Sequence, residues 1–492
     1  MTVEPTIFEL SRTNRRGVTF PAASVPHYSV PQNLQRERLD WPEVSEIDVV
    51  RHFTRMSQKN HAIDIAIYPL GSCTMKFNSR INEAVARMPG FASLHPLQDA
   101  ETSQGAMQLM FELQDMLAEI SGFDSVTLQP AAGAHGELTG CLIIRAYHQD
   151  NGDAERTEML VPDSAHGTNP ATAVLAGFEV VTIPSDARGN VDVAALKGKL
   201  GPKTAGLMIT NPNTLGLWDE QIQEVIDLVH ESGGLVYNDG ANFNAILGYA
   251  RPGDLGIDVM HFNLHKTFST PHGGGGPGSG PVGVAQKLAD FLPGPLVHRR
   301  QVDGVDEYVW FTPEKSIGRL HSFHGNFGMF VRALTYIRMH GEEGLRQIST
   351  DAVLNANYLK ARLEDEYDVA IDRSCMHEVV LSARRQKAQG VKALDIAKRL
   401  LDFGVHPPTT YFPLIVPEAL MIEPTETESK ESLDQFIDAL LQIAREAAEN
   451  PDLVTSAPHT TDFKRLDEAG ANRKLNVKWV VEQPELAAAA AD

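Results

Sequence analysis

A lysine set where a strand gives way to irregular backbone can present its amine to a carbonyl, and His261-Phe-Asn-Leu-His-Lys-Thr-Phe-Ser-Thr-Pro-His272 puts Lys266 in that position. Unperturbed lysine has a pKa of about 10.4, so such an amine becomes nucleophilic near neutral pH only if desolvated or set beside other cations, as His265 would be. Two further groups stand at comparable places. Ala132-Gly-Ala134 lies between a predicted strand and a predicted helix, where backbone N–H groups and the helix dipole favour a phosphate. Asp239 directly follows the predicted strand 235–238. An anion cradle, a strand-terminal carboxylate and a strand-terminal lysine are what pyridoxal phosphate (PLP) requires. The lysine forms the Schiff base, and the carboxylate keeps the pyridine nitrogen protonated so that the ring can accept an electron pair. His135, one residue beyond the cradle, is placed to lie flat on that ring. Singly, each has a plainer reading: Lys266 as a loop lysine, Asp239 as a turn former before Gly240, His135 as a helix-start residue. Their conjunction at strand ends is the signal.

The glycines after Lys266 admit other readings. Gly273, Gly275 and Gly278 fit the G-x-G-x-x-G spacing of dinucleotide sites, but that fingerprint opens a helix. Here Gly280-Pro-Val-Gly-Val-Ala285 reads as a strand, and no Gly-Lys-Ser/Thr closes a P-loop. A loop without Cβ atoms instead lets something long and narrow approach Lys266, although a tight turn would use glycines equally well.

The rest of the chain must hold these groups in place. Its 492 residues suffice for two or three domains, and 42% hydrophobic with 22% charged residues is an ordinary globular balance. A net charge of -21 argues against nucleic acid and anionic membranes as partners. No apolar run nears the roughly 18 residues that span a bilayer, and the opening residues lack a signal-peptide pattern. Cys73, Cys141 and Cys375 are odd in number and far apart, which points to a reducing cytoplasm and to neither disulfides nor zinc. The histidines show no metal-ligand spacing, so no metal is expected.

Prolines 5, 21, 26, 31 and 42 break the first stretch, giving an extended arm over 1–65 with short helical pieces. Within 66–325, helical periodicity over 101–120 is followed by short apolar strands near 125–129, 159–161, 178–183, 206–210, 234–238, 259–264 and 282–285, with helices between them. That alternation predicts an α/β domain with a mostly parallel sheet. Longer helices over 327–340, 344–364, 394–403 and 432–448, with a strand at 379–381, predict a smaller α+β domain over 326–450. A partly irregular tail, 451–492, ends in Ala487-Ala-Ala-Ala-Ala491.

The stretch from Gly253 through Lys266 to Gly278 resembles the PLP-lysine region of glycine dehydrogenase (decarboxylating), the P-protein of the glycine cleavage system. Pro69-Leu-Gly-Ser-Cys-Thr-Met-Lys76, Ser164-Ala-His-Gly-Thr-Asn-Pro170, Asp239-Gly-Ala-Asn242 and Met421-Ile-Glu-Pro-Thr-Glu426 resemble its other segments in the same order. Many members are single chains of about twice this length built as two halves, and this chain is similar to the PLP-bearing half, subunit 2 of the split form. The resemblance implies fold type I of the PLP enzymes, as in the aspartate aminotransferase superfamily, with Lys266 holding PLP, Asp239 on the pyridinium nitrogen and His135 stacked on the ring. It makes Ala132, Gly133, Thr210 and His265 candidates for phosphate or ring contacts. Ser72, Thr74, His166, Thr168 and Asn169 become candidates for the glycine site. It implies decarboxylation of glycine with transfer of the aminomethyl group to the lipoyl arm of H-protein, a separate subunit 1, and a functional link to the T- and L-proteins. A glycine aldolase or hydroxymethyltransferase, a non-catalytic scaffold subunit and, more remotely, a nucleotide-binding protein are the other readings open at this stage.

Overall fold

The computed structural model describes residues 4–36, 39, 41–272 and 278–477. The glycines at 273–276 and the alanine run at 487–491 lie outside the described residues. The apolar runs form β1 (Ser125–Thr127), β2 (Glu158–Pro162), β3 (Glu179–Ile183), β4 (Thr204–Thr210), β5 (Leu235–Gly240), β6 (Val259–Phe262) and β7 (Val282–Val284). They make one sheet in the order β1-β7-β6-β5-β4-β2-β3, in which β7 runs against its neighbours β1 and β6 and the other pairs are parallel.

Parallel strands need crossovers, and crossovers cover both faces. Met159 and Val161 of β2 accordingly face one buried cluster with Cys141 and Ile144, while Leu160 faces another with Leu113, Val225 and Phe330. Val236 points to one side of β5, Leu235 and Tyr237 to the other. Each such fully buried aliphatic side chain contributes about 1.5–3 kcal/mol relative to exposure. That two-sided burial holds the strand ends, and the groups on them, in fixed register.

After an exposed hairpin of β8 (Leu296–Val302) and β9 (Val305–Phe311), the helical rod Phe327–Leu363 leads into a second, antiparallel sheet. Gly341 has φ 61° and ψ -172°, so the rod is two helices meeting at a joint, as the periodicity of 327–340 and 344–364 suggests. The second sheet comprises β10 (Asp368–Val369), β11 (Val379–Ser382), β12 (Thr409–Thr410) and β13 (Ala419–Ile422), ordered β10-β11-β13-β12. It packs against the helix Lys430–Glu449, where Ser429 accepts the Ser432 N–H as N-cap and Leu433, Phe436, Ile437, Leu440, Ile443 and Ala444 recur at helical spacing.

At the N-terminal end, the prolines do not break everything. Ser45 and Asp48 form a capping box that starts the thirteen-residue helix Glu46–Gln58. The turn 69–76 then docks on the second sheet, with Leu70 bridging Ile422 and the Gly71 N–H donating to Met421 O. Among the described residues no helix is long and apolar enough to cross a membrane.

Candidate active site

The carboxyl ends of β4, β5 and β6 open on a cavity of about 170 Å³ lined by Ser72, Gly133, Thr210, Asp239, His261 and Lys266 together with His166, Thr168 and His265. Thr210 ends β4 and Asp239 is the penultimate residue of β5. Beyond β6 the chain turns at once, the Lys266 N–H donating to Asn263 O at 2.9 Å, and Lys266 lines the cavity.

Asp239 is buried and fully engaged. Its Oδ2 accepts from Asn169 Nδ2 at 3.0 Å, its Oδ1 from the Ala241 N–H at 2.9 Å, and His261 Nε2 lies 3.4 Å away. Burial alone would raise its pKa, but the adjacent His261 ring, the charge of Lys266 and these hydrogen bonds outweigh burial and hold the carboxyl below its usual value. Glu137 shows the opposite balance. Burial, then the charge of Asp239, push it up to about 7, although Thr168 Oγ1 and Asn169 Nδ2 donate to it at 2.7 and 3.0 Å. Two carboxyl groups bridged by one amide thus divide their roles: Asp239 is the anion and Glu137 retains a proton to near neutral pH. His261 is driven down by burial and held between Tyr237 OH at 2.5 Å and Asn263 Nδ2 at 2.8 Å. Next to the lysine, burial lowers His265 to about 3, so a neutral ring flanks Lys266.

The residues present suit a phosphorylated ring. The helix Gly133–Asp150 starts at Ala132 without a side-chain cap, and its first residues Gly133 and Ala134 line the cavity. A Cβ on Gly133 would stand 2.4 Å from Asn263 Oδ1, so a side chain there would intrude on the cradle. Among the described residues the buried hydroxyl of Thr210, which lines the cavity, has no hydrogen-bond partner, the kind of donor that an anion can satisfy. Gly133→Ala should therefore weaken PLP binding by about tenfold, or about 1.4 kcal/mol, with near-native melting. A visible-absorption titration of the cofactor measures it, and unchanged affinity would remove Gly133 from the cradle.

The other expected residues divide into two groups. Ser72, His166 and Thr168 line the cavity, with His166 Nδ1 and Thr168 Oγ1 2.8 Å apart. Thr74, Asn169, Ala132 and His135 are not among the lining residues. Asn169 lies behind Asp239, and Thr74 is buried within the turn 69–76. Half-buried His135 accepts the Ala131 N–H at Nδ1, 3.1 Å away, at the helix start. Glu137, Asn242, His261 and Asn263 were not singled out from the sequence, yet they line the cavity. For His261 and Asn263 a signal existed, since both precede Lys266 in one strand-to-turn run.

Residues 348–460 match the family described as glycine dehydrogenase, C-terminal domain, and residues 141–275 match aminotransferase class-V. A probable glycine dehydrogenase (decarboxylating) subunit 2 of Exiguobacterium sibiricum is 58% identical over 482 residues, covering 97% of either chain. The same protein of Caldanaerobacter subterraneus is 56% identical over 478 residues, covering 96% of this chain and 98% of that one. Among solved structures, an inhibitor-bound glycine decarboxylase (P-protein) superposes with a TM-score of 0.72 at 21% identity, over 84% of this chain and 93% of that one. A glutamate decarboxylase of Lactobacillus brevis gives 0.63 at 14% identity, over 87% and 96%. At those identities the structures speak for the fold, which is fold type I of the PLP-dependent enzymes. The near full-length sequence identity goes further: the chain belongs to the glycine dehydrogenase (decarboxylating) subunit 2 family.

Proposed function

We propose that the chain is the PLP-bearing subunit of a glycine decarboxylase, with Lys266 as the covalent attachment point, and that the aminomethyl group left after CO₂ departs passes to the lipoyl arm of H-protein. The observation that carries the reading is the convergence of ionised Asp239, Lys266 and an uncapped helix N-terminus on one cavity. PLP, when bound, supplies an electron sink for the pair that the departing CO₂ leaves on the α-carbon. The chain's own residues do the rest. Lys266 holds the cofactor through Nζ, Asp239 presents a carboxylate to the pyridine nitrogen, and the N–H groups near Gly133 hold the phosphate. Protonated Glu137 leaves Asp239 as the charge of that pair, and Ser72, His166 and Thr168 are placed to orient glycine. Transfer breaks the lipoyl disulfide: one sulfur takes the aminomethyl carbon and the other leaves as a thiol. Exchange of glycine carboxyl with labelled CO₂, dependent on lipoylated H-protein, tests the assignment; exchange indifferent to the lipoyl group would refute it.

The partners of this reading are a subunit 1, H-protein and, in the wider system, the T- and L-proteins, in a reducing cytoplasm that suits three free cysteines. Phe20, Tyr28 and Trp41 are 85%, 89% and 76% exposed, an apolar display for which a partner surface is the natural cover. The chain alone should bind PLP yet turn glycine over slowly, and adding subunit 1 and H-protein together should raise the rate. Deleting residues 1–40 should weaken association with subunit 1 by about tenfold or more, about 1.4 kcal/mol, while PLP binding persists. Light scattering paired with the exchange assay checks both, and full activity from the isolated chain with H-protein alone would contradict the split-subunit reading.

A further inference from the structure

Beneath the turn 69–76, outside the cofactor cavity, lies a second cluster of ionisable groups. Ser72 and Thr74 hold φ of 64° and 47°, the left-handed region that a Cβ disfavours. Each is held from below by one glutamate. The Ser72 N–H donates to Glu378 Oε2 at 2.9 Å, and the Thr74 N–H to Glu423 Oε2 at 2.9 Å. Glu378 immediately precedes β11 and Glu423 immediately follows β13, and the pairing Val379↔Ile422 sets the two carboxyl groups side by side. Their second oxygens, Glu378 Oε1 and Glu423 Oε1, lie 4.0 and 3.8 Å from His377 Nε2, and each of the three side chains places one such atom within 4.8 Å of the other two. His377, Glu378 and Glu423 are fully buried, and neither those oxygens nor either His377 nitrogen has a hydrogen-bond partner among the described residues.

We propose that Glu378 and Glu423 share one proton, and that this singly charged pair is a clasp that holds the turn by its Ser72 and Thr74 N–H groups and so positions Ser72 at the glycine side of the cavity. The inference deepens the reading of the chain as a glycine decarboxylase subunit and rests on it for the identity of the substrate.

The charges facing the pair fix the proton count. The turn contributes Lys76 and Cys73, the segment after β6 contributes Lys266 and His272, and the second sheet contributes His377 and, just beyond Glu423, Glu426. Burial keeps the Cys73 thiol neutral by raising it, and lowers His272 to about 4 and His377 to about 3, so none of these supplies charge. Lys76 is taken up by Glu426 Oε1 at 2.6 Å and Asn244 Oδ1 at 2.7 Å. Among these groups Lys266 is the cation that remains, and it also faces Asp239, so it cannot offset two adjacent buried carboxylates and the pair retains a proton. Burial accordingly pushes Glu423 to about 7 and, with the neighbouring Glu423 charge, raises Glu378 well above the carboxylate range. A divalent cation is the rival occupant. Tetrahedral ligands at about 2.0–2.1 Å from a metal stand only about 3.3 Å apart, closer than the 3.8 and 4.0 Å found here.

As pH rises and the shared proton leaves, the two carboxylates repel and the strained turn loosens. In the complete enzyme, glycine KM should then rise several-fold from neutral to alkaline pH with little change in kcat or in the PLP spectrum. Glu378→Gln and Glu423→Gln keep an oxygen acceptor for the backbone N–H but cannot ionise. Each should flatten that rise and bind glycine more tightly than the parent at alkaline pH, whereas Glu378→Ala should raise KM about tenfold or more across the range. Difference infrared spectra of the PLP-loaded chain carrying labelled glutamate, recorded at mildly alkaline pH where Glu137 has ionised, should show one protonated carboxyl band that either Gln variant removes. That readout is independent of any activity, so it judges the clasp even if the glycine assignment fails. A parent-like KM rise in both Gln variants, or no protonated band, would overturn the proposal. So would a stoichiometric metal in the purified protein that the Gln variants lose.

Discussion

Lys266→Ala should yield a folded chain without covalently held PLP and with glycine decarboxylation lowered by at least about a thousandfold, roughly 4 kcal/mol of barrier. The size of the effect follows from the absence of a substitute. The nearby buried amine, Lys76, is spent on Glu426 Oε1, Asn244 Oδ1 and Thr267 O at 2.6, 2.7 and 3.1 Å, and withdrawing it would strand those acceptors. The folding penalty should be small, because Lys266 is only partly buried and its backbone turn onto Asn263 O does not depend on the side chain. Borohydride reduction followed by peptide mass spectrometry should place a phosphopyridoxyl group on Lys266 in the parent and on no lysine in the variant. Label on another lysine would move the attachment point. A variant that also loses the mass of its cooperative melt would show that Lys266 holds the fold rather than the cofactor.

The chemistry was legible where it coincided with local pattern. Asp239 and Lys266 stand at the ends of short apolar runs, and Ala132 to Ala134 at a strand-to-helix break, so a reading of strands alone locates them. Glu137 was hidden because a single glutamate near the start of a helix is an unremarkable residue; only the packing of that helix over β5 shows that it faces Asp239. The hairpin of β8 and β9 carried a readable signal in Asp303-Gly304, both at positive φ, between Val302 and Val305. Its exposed, charged faces, with His298, Arg299 and Arg300 in succession, obscured it. The second sheet was the least legible part. Its outer strands β10 and β12 have two residues each, too few for any periodicity. The clasp depends on the pairing of Val379 with Ile422, a long-range register that no window of sequence contains.

Asp239→Asn should leave PLP bound but slow decarboxylation by about a hundredfold or more, some 2.7 kcal/mol, because an amide cannot stabilise a protonated pyridine nitrogen. The substitution is nearly isosteric, so the fold should survive, but its hydrogen bonding is not neutral. An amide oxygen turned to the Ala241 N–H puts its NH₂ against the Asn169 NH₂, which now donates to Asp239 Oδ2. Asn169 is also committed to Glu137 Oε2, so the mismatch spreads to the neighbouring carboxyl. A second, non-kinetic signature follows from linkage. Glu137 stands at about 7 in the folded chain against 4.5 unfolded, so it costs stability increasingly as pH rises from 4.5 through about 7. Part of that elevation is the charge of Asp239, which the variant removes. Asp239 itself is lowered in the folded state, so its stabilising contribution is complete above its unfolded pKa and constant over the same window. The difference in melting temperature, variant minus parent, measured on cofactor-free protein, should therefore increase between about pH 5 and about pH 8. A flat difference would mean that Glu137 does not feel Asp239. Native decarboxylation with an unshifted PLP spectrum would reduce Asp239 to a buried residue closing the end of β5.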